Sequence, residues 1–137
     1  MTTTPKRPVW LAEILQATCD VYGLPYDALR SHRGRSDLLA EARSVYSYVA
    51  LSVTNLSLPV IAHMGGMSHS TIQYGNKKAM ERMGSNRESC LAAGMKLAGV
   101  VNMVAKQAHE LRDEHVADPK EYERQMHLAL VPRWETK

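Results

Sequence analysis

Residues 54–83 read TNLSLPVIAHMGGMSHSTIQYGNKKAMERM, and this stretch decides the fold. Ser57 is a candidate helix N-cap, and Pro59 follows in the first turn, where its missing N–H costs little. Gly65 and Gly66 end that helix, because glycine adopts the positive φ that a tight turn needs. A second helix can then begin at a serine cap, Ser68. The stretch therefore predicts a helix, a glycine turn and a second helix.

Apolar side chains recur at helical spacing along both predicted helices. They are Ile61, Ala62 and Met64 in the first helix and Ile72, Ala79 and Met83 in the second. The outward face of the second helix instead carries hydrogen-bonding side chains, namely His69, Ser70, Gln73, Tyr74 and Lys77, with Lys78 nearby. Such a face suits a DNA major groove, where polar side chains read base edges and lysines meet phosphates. An ordinary helical hairpin with a solvated polar face fits the same spacing, so the pattern alone leaves both open.

Several short motifs occur in order in and before this stretch. They are T-N-L-S-L-P at 54–59, G-G at 65–66, H-S-T-I at 69–72 and the basic pair at 77–78, preceded by V-Y-G-L at 21–24, D-A-L at 27–29 and S-H-R-G-R at 31–35. Their combination resembles the C-terminal DNA-binding domain of the bacterial replication initiator DnaA. The resemblance covers about residues 10–83. It implies an all-α fold, a DnaA-type helix-turn-helix bundle with a C-terminal helical extension.

Positions at the start and on the outward face of the second helix are the candidate base contacts. They are Ser68, His69, Ser70, Thr71 and Gln73. The candidate contacts to the DNA backbone or the minor groove are Arg33, Arg35, Arg43, Tyr74, Lys77 and Lys78. The resemblance implies that Arg33 or Arg35 enters the minor groove, and it aligns Arg43 with a family arginine. The alternative for Arg33 and Arg35 is that they lie in a solvated loop. The alternative for Arg43 is that it is an ordinary exposed arginine.

Two departures from the family pattern bear on base preference. Met67 and Ser68 stand where the family has Arg-Asp before its histidine, and the segment from Pro59 to the glycines is one residue shorter. The target sequence of the initiator therefore does not transfer to this chain.

Composition and charge fit one helical domain with an extension. The 137 residues are 45% hydrophobic and 23% charged and contain no Phe, which favours helices over a β-rich fold. Residues 1–87 hold ten Lys/Arg against six Asp/Glu, whereas residues 88–137 hold seven against eight. The basic excess thus lies with the helix-turn-helix, as DNA binding requires, although chance scatter of so few charges gives a similar difference.

The chain order predicts three regions. Residues 1–7 form a mobile arm, residues 8–84 the DNA-binding domain, and residues 85–137 a helical extension. Within the domain, Pro8 opens a helix that Gly23 ends, a short helix follows at 25–29, and Ser36 caps the next.

In the extension, residues 88–112 form one long amphipathic helix, in which Gly94, Ala98 and Gly99 allow close approach of another helix. A last helix runs from Asp118 to about Leu130. We expect the extension to pack, self-associate or bind a partner such as the transcription machinery, and not to contact DNA.

Catalytic and cofactor motifs do not stand out in the sequence. No GxxxxGK[ST] phosphate loop occurs, and the histidines lack metal-ligand spacing. Cys19 and Cys90 are predicted to be buried, reduced thiols of a cytoplasmic protein. Residues 90–108 are interrupted by Lys96, Asn102 and Lys106, so a membrane span is not predicted. We therefore expect no enzyme activity, cofactor, metal or membrane partner.

Three functions remain in view. Double-stranded DNA is the predicted partner, and a transcriptional regulator, most simply an activator, is the first hypothesis. The chain resembles stand-alone domains that are found in phage-derived regulators, including activators of gene transfer agents. An accessory replication or origin-binding protein is the second hypothesis, and a protein–protein adaptor that reuses the fold is the third.

Overall fold

A computed structural model describes residues 9–25, 28–29, 37–92 and 94–114. Within these ranges the chain forms α1 (Leu11–Tyr22), α2 (Asp37–Val53), α3 (Leu58–Gly65), α4 (His69–Gly84) and α5 (Leu97–Glu114). The same ranges hold no β-strand, and an isolated antiparallel bridge pairs Glu88 with Lys96. The all-α prediction is confirmed. None of the described helices has the length and apolar character needed to cross a membrane.

Local signals set both ends of α1. The buried Glu13 carboxylate accepts a hydrogen bond from the Trp10 N–H at 2.9 Å, which fixes the first turn. Gly23 ends the helix with φ +66°, as predicted. The predicted start at Pro8 lies outside the described residues, as do Tyr26 and Asp27 of the predicted short helix. What is described there is a turn in which the Ala28 N–H bonds to the Pro25 carbonyl at 2.9 Å.

The core is built around α2. Its buried side chains include Leu39, Ala42, Val45, Tyr46 and Val49. The helix contacts α1, α3, α4 and α5, so it links the amino-terminal helix to the helix-turn-helix. The predicted cap of α2, Ser36, lies outside the described residues.

The single long helix predicted for residues 88–112 is wrong. A loop fills the interval between α4 and α5, and α5 begins at Leu97. Gly94 adopts φ +81° and Asn86 adopts φ +57°, values that a right-handed helix does not contain. The loop is closed by backbone hydrogen bonds from Ser89 N to Met95 O at 2.7 Å and from Leu97 N to Arg87 O at 2.9 Å.

The apolar stripe predicted for this region is nonetheless correct from Leu97 onward. The buried side chains of α5 are Leu97, Val100, Val101, Val104, Ala108 and Leu111. They join the same hydrophobic core as α1 and α2 and lie mainly against α1. In contrast, Gly94, Ala98 and Gly99 are exposed. Close approach of another helix to these small residues therefore stays a prediction.

A buried carboxylate ties the loop to the two amino-terminal helices. Glu41 of α2 is only 3% exposed, and its Oε2 accepts hydrogen bonds from Tyr22 Oη at 2.7 Å and Ser89 Oγ at 2.6 Å. Its Oε1 accepts one from the Cys90 N–H at 3.1 Å. Burial, followed by the hydrogen bond to Glu41, raises the pKa of Tyr22, so the phenol stays a donor. We call these four residues the Glu41 cluster.

The prediction of two buried thiols is half right. Cys19 is buried in the core, but Cys90 is exposed because its turn lies at the surface. Desolvation around its sulfur, followed by the charge of Glu41, raises the pKa of the Cys90 thiol. The exposed thiol therefore stays protonated near neutral pH and is a weak nucleophile.

Candidate nucleic-acid interface

The turn between α3 and α4 is made by two glycines with different tasks. Gly66 adopts φ +66°, and its N–H and that of Met67 bond back to the carbonyls of His63 and Ala62. Gly65 lies under the ring of Tyr46, where an added Cβ would come within 2.8 Å of a ring carbon. Tyr46 in turn donates a hydrogen bond from its hydroxyl to the Ile61 carbonyl at 3.0 Å. The turn is thus fixed both by backbone conformation and by contact with α2.

The start of α4 is capped as predicted. Ser68 Oγ accepts a hydrogen bond from the Thr71 N–H at 3.2 Å. The same oxygen lies 2.8 Å from Thr71 Oγ1 and 3.1 Å from Ser70 Oγ. By contrast Ser57, at the N-cap position of α3, makes no capping hydrogen bond with its side chain. The hydroxyls at the start of α4 therefore hold one another in place.

A close contact with α2 holds α4 in position. Ile72 and Ala79 are fully buried, as predicted. Between them, Gly75 lies so close to α2 that an added Cβ would be 2.9 Å from Ser47 Oγ and 3.2 Å from Ser44 Cα. Sequence reasoning missed this contact, although a glycine in the middle of a helix is the available signal for close packing.

The opposite side of α4 is open to solvent. The exposed residues there are His69, Ser70, Thr71, Gln73, Tyr74 and Lys77, which we call the polar face of α4. Tyr74 is 63% exposed, and the Lys78 ammonium lies 5.6 Å from the centre of its ring. This cation–π contact holds a positive charge beside the polar face. The structure thus brings the α4 candidates of the sequence prediction onto one accessible surface.

Of the three predicted arginines, the structure describes Arg43. Arg43 is half-buried on α2, and its Nε donates to the Leu29 carbonyl at 3.3 Å. A guanidinium carries five donors, so this bond is compatible with a phosphate contact as well as with a structural role. Arg33 and Arg35 lie outside the described residues. For all three arginines, DNA contact stays a prediction.

The match to known proteins agrees with this geometry. A family profile described as "Bacterial dnaA protein helix-turn-helix" matches residues 11–79, half of the chain, from the start of α1 into α4. The chain belongs to the bacterial DnaA helix-turn-helix family. The resemblance inferred from the sequence motifs is therefore confirmed, and membership supports DNA binding with double-stranded DNA as the partner.

Relatives with curated names are similar over the same region. The chain is 33% identical over 84 residues to the chromosomal replication initiator protein DnaA of Corynebacterium aurimucosum. The aligned region covers 61% of this chain and 15% of the initiator. It is 38% identical over 76 residues to the protein of that name in Leifsonia xyli, covering 55% of this chain and 16% of the relative. It is 34% identical over 77 residues to the protein of that name in Mycobacteroides abscessus, and this region covers 56% of this chain and 16% of the relative. The matches thus span about one-sixth of the length of these relatives.

Other kinds of site do not emerge in the described part of the chain. It holds no group of three or more His, Cys, Asp or Glu side chains placed to bind a metal ion. A pocket of about 490 Å³ lies beside the Glu41 cluster and is lined by both acidic and basic residues, including Asp37, Arg82, Arg87 and Glu88. The polar face of α4 is therefore the candidate functional site.

Proposed function

We propose that this chain binds double-stranded DNA sequence-specifically through the polar face of α4 and regulates transcription as an activator. The observation that carries the proposal is the exposure of this face on the second helix of a DnaA-family helix-turn-helix. In such motifs the second helix enters the major groove, and its amino-terminal residues contact base edges. Lysines on the same helix contact phosphates.

The choice of transcription rests on the sequence. The DnaA-like motifs of this chain resemble those of regulators of phage or gene-transfer-agent origin. We propose that the protein acts at the nucleoid, as a binding protein and not as an enzyme. Residues 85–137 are the proposed contact to the transcription machinery or to a second copy of the chain.

The curated relatives favour a second candidate. All three are named chromosomal replication initiators, so an accessory role at replication origins is the alternative. A genome-wide map of bound DNA separates the two, because promoters and origins are different places. Enrichment at promoters together with changed transcript levels supports regulation. Enrichment confined to an origin contradicts it, and no enrichment anywhere favours the adaptor hypothesis.

Replacing His69 by Ala is expected to weaken binding to the specific site by roughly 1–3 kcal/mol and to leave binding to random DNA nearly unchanged. The reason is its place at the exposed start of α4, where side chains reach deepest into the groove. Fluorescence anisotropy on both DNAs measures the difference, and Asn102→Ala, an exposed position on α5, is the control. Equal weakening on both DNAs would remove His69 from base readout.

We expect Lys77 and Lys78 to contribute to binding of any DNA sequence, whereas His69 contributes to binding of the specific site. If each neutralises a phosphate, Lys77→Ala and Lys78→Ala should weaken binding to all sequences. Each should also reduce the slope of log K against log salt by about one unit. Titrations at several salt concentrations measure the slope, with the exposed Lys106 of α5 replaced by Ala as control. A slope equal to that of the unchanged protein would mean that Lys77 and Lys78 face solvent and do not contact phosphates.

A further inference from the structure

Three hydroxyl-bearing residues at the start of α4 discriminate poorly between bases. Ser68, Ser70 and Thr71 are linked by contacts of 2.8–3.2 Å around Ser68 Oγ. A hydroxyl both donates and accepts, so it bonds to either edge of several bases and discriminates poorly. These three residues shape and cap the start of α4, and discrimination between bases must come from other members of the face.

Gln73 has the chemistry that the hydroxyls lack. It is exposed and lies one helical turn from both His69 and Lys77, so the three side chains form one line along α4. Within the described residues its amide makes no hydrogen bond. The amide offers an acceptor oxygen and a donor nitrogen at fixed separation, and adenine presents N6–H and N7 in the major groove as the complementary pair.

We propose that Gln73 is a specificity-determining residue that reads an adenine in the major groove. Its amide oxygen accepts from adenine N6–H while its N–H donates to N7. This inference rests on the proposed function, because it requires α4 to enter the groove. His69 lies nearer the start of the helix and Lys77 further along the same line, so the adenine lies between the base contact of His69 and a phosphate contact of Lys77.

A selection from random double-stranded DNA tests the assignment with the full chain. The unchanged protein should enrich a site that contains one position restricted to A·T. In Gln73→Ala the preference at that position alone should fall, by roughly 5- to 150-fold, since one bidentate pair is lost. Because Gln73 is exposed, the Gln73→Ala variant should unfold at the same temperature as the unchanged protein.

The Gln73→Glu variant makes the test sharper. A carboxylate only accepts, and cytosine presents the N4 amino group as a donor, so the preferred base at the same position should change from adenine to cytosine. Gln107→Glu on α5 adds the same charge away from the polar face and should leave every position unchanged. A role in folding alone would not exchange one base for another.

Three results would overturn the assignment. If Gln73→Ala weakens binding while all base preferences persist, the amide contacts a phosphate. If the restricted position does not change to cytosine in Gln73→Glu, the bidentate pairing is wrong. If the unchanged protein enriches no sequence, the proposed sequence-specific binding fails, and the adenine contact fails with it. The first two leave the proposed function standing, so the failures are distinguishable.

Discussion

Replacing Glu41 by Ala is expected to lower the free energy of unfolding by about 3 kcal/mol. The carboxylate accepts hydrogen bonds from Tyr22, Ser89 and the Cys90 N–H, all within 3.1 Å. An alanine leaves these donors without an acceptor and also leaves a gap where the side chain was. For a small domain whose whole stability is about 5–15 kcal/mol, this is a large fraction.

Glu41→Gln is the matched variant, and its expected cost is smaller, about 1 kcal/mol. The glutamine oxygen can take the place of Oε1 and accept from Cys90, while its NH₂ donates to Tyr22 and Ser89, since hydroxyls also accept. Urea unfolding of both variants measures the difference, with Glu110→Ala, exposed on α5, as control. If Glu41→Ala unfolds at the same urea concentration as Glu110→Ala, the Glu41 cluster contributes nothing to stability.

A local measurement separates loss of the cluster from general destabilisation. The charge of Glu41 contributes to the raised pKa of Cys90, so its removal should lower that pKa and increase the thiolate fraction at a given pH. Alkylation by iodoacetamide should therefore be faster in Glu41→Ala under native conditions. Because Cys19 is buried, the label reports on Cys90. An unchanged rate would mean that Glu41 does not control the pKa of Cys90.

The helix-turn-helix could be predicted from the sequence because its signals are local. Pro59, Gly66 and Ser68 act within one turn of their own position, through a fixed φ, a positive φ and a side-chain cap. Helical spacing also placed Ile72 and Ala79 inside and the polar face outside. These features depend on neighbours three or four residues away, which a reading of the sequence can weigh.

The loop between α4 and α5 could not be predicted because its causes are distant in sequence. Residues 88–95 have helix-compatible spacing, but Ser89 and Cys90 bond to Glu41, 48 and 49 residues earlier. Nothing near Glu41 marks it as an acceptor for a loop, and an acidic residue within a helix ordinarily faces solvent. The same reasoning applies to Gly75, whose contact is with Ser47 of α2.

The candidate DNA contacts also divide into features that local spacing predicts and features that depend on distant residues. Which side chains are exposed on α4 is a matter of helical spacing and was predicted. Whether Arg43 contacts phosphate depends on its surroundings, and the structure adds a bond to Leu29 that spacing could not show. The residue types on α4 limit the bases that each can read, but the order of bases in the target depends on how the helix sits in the groove.

A chain that ends at Gly84 is expected to lose cooperative folding. The sequence predicts that such a chain keeps DNA binding, on the view that a helix of about 25 residues reaches beyond the domain. In the structure α5 has 18 residues, about 27 Å at the rise of an α-helix, and it lies mainly against α1. Its leucines and valines at 97, 100, 101, 104 and 111 are at most 7% exposed. Each contributes roughly 1.5–3 kcal/mol by burial, so their loss together approaches the stability of the whole domain.

Circular dichroism during heating, on chains ending at Gly84 and at Glu114, measures the effect. The longer chain retains α5 and the Glu41 cluster and should melt in one transition, whereas the shorter chain exposes the apolar face of α1 and should show weak helicity without a transition. Anisotropy with DNA then follows folding, because Gly75 holds α4 on α2 and α2 depends on the same core. A cooperative transition and retained DNA binding in the chain ending at Gly84 would contradict this expectation. In that event α5 would be an appendage to a self-sufficient DNA-binding domain, free to serve a partner, as the division at residue 84 predicts.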